Sequence, residues 1–187
     1  SYREWSSRGR SPSHRTAALI LCRSAGLLML LAAGLLAAHV SSAANTAGLQ
    51  WINFPDSRLE LRGLPWFQQN SPELWRLPGS AKGKVPPRVW NRAVAPDGGR
   101  IRLLSNTSRL VLRLQLPHGL KRRCLLDTFV DGAYAGSVTL VGTQQVERVA
   151  FENKGHAFKE VTVYLPNTTE IRLFAVGVDN GAQFKTP

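Results

Sequence analysis

The stretch RLVLRLQL (residues 109–116) decides the fold class of this chain of 187 residues. Leucine stands at every second position, and arginine or glutamine occupies most of the positions between. Successive side chains of an extended strand point to opposite faces of a sheet, so this alternation places all four leucines on one face. The stretch therefore predicts a half-buried antiparallel strand with a polar outer face.

The same period of two recurs along the second half of the chain. The stretches GRIRLL (residues 99–104) and EVTVYL (residues 160–165) alternate apolar residues with arginine, glutamate, threonine or tyrosine. Further strands are predicted over 125–130, 133–140, 145–151 and 171–178. About seven short strands without a convincing amphipathic helix predict an all-β fold, a jelly-roll-like β-sandwich whose strands occupy residues 99–187.

Turn-forming residues separate these strands. The strongest signal is Asp131-Gly132, which stands between two predicted strands. Aspartate and glycine tolerate the positive φ angles of a type I′ turn, so the pair predicts a tight hairpin. At the end of the last long strand, Asp179-Asn180-Gly181 predicts another turn, and we interpret residues 183–187 as a connector to a further domain.

The N-terminal 44 residues have the layout of an export signal. Five arginines precede an apolar run of residues 25–40, and the small residues of SSAAN (41–45) follow it. The run is shorter than the roughly 20 apolar residues that a membrane-spanning helix requires. We therefore predict a cleaved signal peptide over 1–44, with an uncleaved anchor as the alternative, and a periplasmic or extracellular location without a membrane contact after cleavage.

Residues 45–98, called the arm below, are rich in tryptophan and proline and show little periodicity. Large aromatic side chains bury extensive surface, so we predict an ordered arm packed on the sandwich and not a flexible linker. An indole face also suits the apolar face of a sugar ring. Packing on the core is the better interpretation for Trp66 and Trp90, whereas Trp75 remains open between packing and sugar stacking.

Charge and cysteine content narrow the functional classes. The chain carries 24 basic and 12 acidic residues, but the basic residues are dispersed, with one tight cluster at residues 121–123 in a predicted loop. This distribution does not favour nucleic acid as a partner. Because Cys22 falls in the leader, Cys124 alone remains after cleavage, which excludes an internal disulfide or a zinc site built from thiolates. Cys124 is predicted to be a buried, unreactive residue.

Catalytic signatures are missing from the sequence. It contains no Gly-x-Ser-x-Gly elbow, phosphate-binding glycine loop, His-Glu-x-x-His or Cys-x-x-Cys. His118 and His156 each lie near a glycine in a predicted turn, where surface histidines are common. Asp127 and Asp131 could offer oxygen ligands to calcium, but ordinary turn chemistry explains them better. We therefore assign no catalytic residue, metal ligand or cofactor to this chain.

Four stretches, taken in order, suggest a family. They are GLPWFQQNSPELWRLP (63–78), VPPRVWNRAVAPDGGRIRLLSNTSRLVLR (85–113), DTFVDGAYAGS (127–137) and VTVYLPNTTEIRLFAVGVDNGAQF (161–184). This order resembles the N-terminal β-sandwich domain of exported SGNH/GDSL-type esterases. That family tends to carry a Gly-x-Asp-Leu-Tyr stretch, and the matching residues 125–129 here read Leu-Leu-Asp-Thr-Phe, so only the aspartate is kept.

The resemblance implies an accessory domain whose parent hydrolyses carboxylic esters, with acetyl groups on carbohydrate as one such substrate. In such esterases a serine nucleophile in a Gly-x-Ser block, an oxyanion-hole glycine and asparagine, and an Asp-x-x-His pair follow this domain. None has a matching position in this chain, so the implied partner is a C-terminal SGNH catalytic domain. The candidates for contact with that domain or with a ligand are Trp66, Phe67, Trp75 and Arg76.

Two other functions remain open at this stage. The Trp-rich arm and the export signal are also compatible with a free-standing carbohydrate-binding jelly roll, in which Trp75 would contact the sugar. Catalysis by this chain alone is disfavoured because the sequence offers no catalytic signature. A domain separated from its partner is also expected to expose an apolar patch.

Overall fold

The structure is a computed structural model that describes residues 47–118 and 124–186. The predicted signal peptide and the basic cluster at residues 121–123 lie outside the described residues. Within the described ranges, no helix has the length and apolar character needed to cross a membrane. All the elements described below belong to one compact unit of the chain.

Ten strands, in antiparallel pairs and with few helices beside them, confirm the all-β prediction. The strands are β1 (Leu49–Asn53), β2 (Glu60–Arg62), β3 (Arg100–Ser105), β4 (Leu110–Gln115), β5 (Cys124–Val130), β6 (Ala133–Leu140), β7 (Val146–Phe151), β8 (Lys159–Tyr164), β9 (Arg172–Asp179) and β10 (Phe184–Lys185). All seven strands that the period of two indicates, β3 to β9, are present. The more specific jelly-roll assignment stays a prediction.

The strands form two antiparallel sheets. The first has the order β1-β9-β4-β7. The second has the order β10-β3-β8-β5-β6, with β2 also paired to β3. Neighbouring strands such as β4 and β9 are far apart in sequence, so the long-range pairing must be held by the side chains that the two sheets bury between them.

The core lies between the sheets and is supplied by the alternating leucines. Leu110, Leu112, Leu114 and Leu116 are each at most 2% exposed. Ile101 of β3 and Val163 of β8 belong to the same buried cluster and come from the opposite sheet. Burying a side chain of this size contributes roughly 1.5 to 3 kcal/mol. The stretch that predicts the fold class is thus also the centre of the core.

Three short strands, β1, β2 and β10, were not predicted. They are five, three and two residues long, too short for an alternating pattern to show. Strand β1 pairs with β9, and β2 pairs with β3. The arm is therefore not wholly irregular, because it contributes a strand to each sheet. Strand β10 pairs with Ser105 and Leu104 of β3, so part of the expected connector also belongs to a sheet.

The predicted hairpin between β5 and β6 is confirmed. Val130 pairs with Ala133, which leaves Asp131 and Gly132 as the two central residues. Both have positive φ angles, 50° and 78°. This is the conformation that a type I′ turn requires and that glycine and aspartate tolerate. Cys124, at the start of β5, is 1% exposed, as predicted for a buried cysteine.

Short helices and one buried asparagine order the rest of the arm. The helices are α1 (Phe67–Asn70), a 3-10 turn (Gly79–Ala81) and α2 (Pro87–Ala93). The Asn70 side chain donates hydrogen bonds to the carbonyl oxygens of Trp75 and Leu77, and its oxygen accepts one from the backbone N–H of Gly79. A single amide thus satisfies three backbone groups of a loop that has no sheet partner.

Candidate functional site

The four candidate residues of the arm do not converge on one site. Trp66, at the start of α1, is 39% exposed. Phe67 packs against Phe54 with ring centroids 5.4 Å apart and lines a surface groove of about 610 Å³. A second groove, of about 430 Å³, is lined by Arg76 together with residues of α2. Phe67 and Arg76 therefore face different grooves.

Trp75 is largely engaged by its own domain. Its indole N–H donates to the Glu170 carboxylate at 2.9 Å, and its ring packs at a steep angle on Trp90 with centroids 5.4 Å apart. Gly79 lies so close that an added Cβ atom would stand 3.5 Å from the Trp75 ring. These contacts explain Trp75 as the packing centre of the arm.

Arg76 is also held within the arm. Its guanidinium donates to the backbone carbonyl of Arg92 at 2.7 Å and lies 3.6 Å from the Asp97 carboxylate. The Arg76 backbone N–H donates to the carbonyl of Ala93. These bonds fasten the Arg-Leu-Pro stretch to the end of α2.

A second group of side chains lies on the outer face of the six-stranded sheet. Strand β5 buries Cys124, Leu126 and Thr128, so the residues between them point away from the core. Leu125, 47% exposed, Asp127 and Phe129 form this outward row. Two of these three side chains are apolar, which is unusual for the open face of a sheet.

Two tyrosines from neighbouring strands extend this row. Tyr164 of β8 is the cross-strand partner of Asp127, and its ring centroid lies 5.4 Å from that of Phe129. Tyr134 of β6 lies on the other side of Phe129 at 5.7 Å. Both pairs are edge-to-face, the geometry that the ring quadrupoles favour. Although packed together, Tyr134 and Tyr164 are 62% and 42% exposed.

A short hydrogen-bond relay runs beside the rings. The Ser137 hydroxyl donates to the Asp127 carboxylate, so its oxygen must accept the 2.7 Å bond from the Tyr134 hydroxyl. The relay fixes the orientation of Tyr134 on an exposed surface. We call Asp127, Phe129, Tyr134, Ser137 and Tyr164 the sheet-face cluster.

Charged residues border the sheet-face cluster on β2 and β3. Arg102 bonds to the carboxylates of Glu60 and Glu160, at 2.9 and 2.8 Å. The bond from Arg102 holds the pKa of Glu160 below its usual value, and the bond from Arg62 does the same for the pKa of Glu60. Arg100 lies beside Tyr164 in the sheet register, and its guanidinium has no recorded side-chain partner within the described residues.

The cysteine and histidine side chains of the described residues are poorly placed for catalysis or metal binding. Burial raises the pKa of the Cys124 thiol to about 11, which makes it a poor nucleophile. His118 lies 3.3 Å from Glu170, and His156 lies 3.9 Å from Asp179, both on the surface. Across residues 47–118 and 124–186, no three His, Cys, Asp or Glu side chains are grouped so that they could hold a metal ion.

Comparison with known families now explains the order of the motifs. A family model described as GxDLY, the N-terminus of SGNH-hydrolase-type esterases, matches residues 49–184. The chain belongs to this family. A search of curated proteins found no match.

Solved structures show the same fold. A salicylyl-acyltransferase, SsfX3, from a tetracycline biosynthetic pathway matches with a TM-score of 0.64 and 22% identity over 75% of this chain and 42% of its own. A protein described as a GDSL-like lipase from Bacteroides ovatus matches with a TM-score of 0.63 and 21% identity over 74% of this chain and 43% of its own. The chain thus spans less than half the length of either protein.

The sheet-face cluster is where the family motif lies. The glycine, aspartate and tyrosine of Gly-x-Asp-Leu-Tyr correspond to Leu125, Asp127 and Phe129, the outward row of β5. Tyr164 begins the Tyr-Leu-Pro stretch and lies beside them. Sequence reasoning found both stretches but could not join them, because the pairing of β5 with β8 links residues more than 30 positions apart.

Proposed function

We propose that this chain is the N-terminal accessory domain of an exported SGNH-type esterase. The observation that carries the proposal is the family match over residues 49–184, to a domain described as the N-terminus of such esterases. The lengths of the structural relatives support it, since the chain covers 42% and 43% of the first two. Export rests on the composition of residues 1–44.

In this proposal the chemistry belongs to a catalytic domain joined after residue 187. A serine nucleophile attacks the carbonyl carbon of an ester, donors of an oxyanion hole stabilise the tetrahedral intermediate, and a histidine oriented by aspartate takes the serine proton. The accessory domain supplies a rigid wall beside that site. Acetyl esters of carbohydrate are the first substrate class to test.

The coding sequence beyond the codon for Pro187 tests this proposal directly. We expect a Gly-x-Ser block soon after that codon, and a distal Asp-x-x-His pair. The protein encoded by the longer reading frame should hydrolyse 4-nitrophenyl acetate, and replacing the serine of that block by alanine should abolish the hydrolysis. A stop codon directly after Pro187, or ester hydrolysis by residues 45–187 alone, would refute the proposal.

A free-standing carbohydrate-binding module is the second candidate. Trp75, the residue first considered for sugar stacking, is committed to Glu170 and Trp90. The exposed rings of Tyr134 and Tyr164 now favour this candidate more than the arm does. It predicts saturable binding of a soluble polysaccharide, weakened by Tyr134→Ala. Calorimetric titration of a polysaccharide panel without any heat of binding would count against it.

A further inference from the structure

We infer that the sheet-face cluster is the surface on which the SGNH-type catalytic domain docks, with Tyr134 and Tyr164 as its anchoring side chains. This inference rests on the proposed function, and it names the contact that would join the two domains. It differs from the expectation that the arm residues Trp66, Phe67, Trp75 and Arg76 form the contact.

Large apolar side chains on and beside the cluster are exposed to solvent. Leu125, Tyr134 and Tyr164 are among the large apolar side chains that the described surface exposes, and they lie on three adjacent strands of one sheet face. Contiguous exposed apolar patches mark interaction sites in soluble proteins. Tyrosine and arginine are the residues that most often dominate binding energy, and Arg100 borders this patch.

The tyrosine side chains of the cluster are held in fixed orientations. Phe129 holds both tyrosine rings edge-to-face, and the relay through Ser137 to Asp127 fixes the Tyr134 hydroxyl. Side chains that are already ordered lose little entropy when a partner binds them. The cluster therefore has the preorganisation of a docking surface, while Tyr134 and Tyr164 stay 62% and 42% exposed.

The family motif covers both the inward and the outward positions of β5. Leu126 and Thr128 face the core, so folding explains why a strand pattern occurs there. Folding does not explain the outward positions 125, 127 and 129, which include the aspartate and the aromatic position of the motif. Members of the family share their place before an SGNH-type domain. A contact with that domain would explain why the motif includes the outward positions 125, 127 and 129.

The last strand of the described chain lies in the sheet that carries the cluster. Strand β10 is an edge strand of the same six-stranded sheet and pairs with β3. Lys185 of β10 lies opposite Leu104 of β3, and Tyr164 of β8 lies opposite Arg100 of the same strand, so the cluster begins one strand beyond β3 and about four residues along it. A catalytic domain joined after β10 would start at the margin of this face. The matching surface should be apolar, with an acidic group opposite Arg100 and a donor opposite Asp127.

The test uses the longer protein that contains both domains. The double variant Tyr134→Ala/Tyr164→Ala is compared with Trp66→Ala, because Trp66 is about as exposed as Tyr164 but lies in the arm. We expect the double variant to split one calorimetric unfolding transition into two and to accelerate proteolysis of the interdomain connector about tenfold, a change of about 1.4 kcal/mol. Trp66→Ala should change neither readout.

The outcomes separate the two proposals. If the longer protein hydrolyses esters but the tyrosine variant keeps a single transition and the wild-type cleavage rate, docking on this face is wrong and the proposed function stands. The same conclusion follows if Trp66→Ala alone uncouples the domains, or if the tyrosine variant loses polysaccharide binding without a change in cleavage rate. An absent catalytic domain would overturn both proposals. Circular dichroism of the variant checks that its sandwich is folded.

Discussion

The arm and the sheet-face cluster both concentrate aromatic residues, but they use them differently. In the arm, Trp75 contacts Trp90 and Glu170, and Phe67 contacts Phe54. In the sheet-face cluster, Tyr134 and Tyr164 contact Phe129 while keeping about half of their surface in water. Aromatic content alone therefore does not locate a binding surface. Phe67 and Trp75 of the arm pack within the domain, whereas Tyr134 and Tyr164 of the cluster keep exposed surface.

The largest expected effect is the loss of Trp75. Trp75→Ala should lower the free energy of unfolding by about 2 to 4 kcal/mol, because it leaves a cavity beside Trp90 and removes the partner of Glu170. Tyr164→Ala, the matched change in the cluster, should lower it by less than about 1 kcal/mol. Denaturant unfolding of both variants measures the difference. Equal losses would show that the two aromatic groups do the same work.

Asn70 tests whether the arm is held by polar bonds as well as by its rings. Asn70→Ala leaves the carbonyls of Trp75 and Leu77 and the N–H of Gly79 without their partner. We expect a loss of about 2 to 3 kcal/mol in the free energy of unfolding. Ser137→Ala removes both hydrogen bonds of the relay in the exposed cluster and should cost less than about 0.5 kcal/mol. A comparable loss from Ser137→Ala would contradict the contrast between the regions.

The sequence predicted the regular part of the fold well. Strands β3 to β9 were predicted because each is long enough for alternation to show, as in residues 109–116. Strands β1, β2 and β10 were missed because they are short and lie beside longer strands that determine their pairing.

The sheet-face cluster was not predicted, for a different reason. The candidates Trp66, Phe67, Trp75 and Arg76 were predicted from their residue types. Residue type does not reveal which face of an aromatic ring is covered. The cluster depends on the register between β5, β6 and β8, which places Asp127 beside both Ser137 and Tyr164. Such register is set by packing across the whole sheet and is not contained in any local stretch.

Thr128 lies on the buried face of β5, opposite the face that carries the sheet-face cluster. Its hydroxyl is buried and has no hydrogen-bond partner among the described residues, at the position where the family motif has leucine. An unpaired buried hydroxyl is costly, so Thr128→Val should raise the free energy of unfolding by about 1 kcal/mol. Thr128→Ser, which keeps the hydroxyl and removes the methyl group, should lower it. If Thr128→Val lowers the free energy of unfolding instead, the buried hydroxyl makes a stabilising hydrogen bond, and the prediction is wrong.

The stability of the arm should also depend on pH. Arg58 bonds both Asp56 oxygens at 2.8 Å and lies over the Phe184 ring of β10. The bond from Arg58 lowers the pKa of Asp56 from 3.8 to about 2. Because the folded pKa is depressed, this stabilisation is present above the unfolded value of 3.8 and is lost as the pH falls toward 2.

Asp56→Asn isolates that contribution. The difference in the free energy of unfolding between the wild type and this variant should be about 1 kcal/mol near neutral pH, since the pair is partly exposed to solvent. It should shrink as the pH falls from about 4 to about 2, because protonated Asp56 no longer attracts Arg58. Tyr164→Phe, a cluster variant without a carboxylate, should show a difference that does not change over this range. A pH-independent difference for Asp56→Asn would mean that this ion pair does not contribute to the stability of the arm.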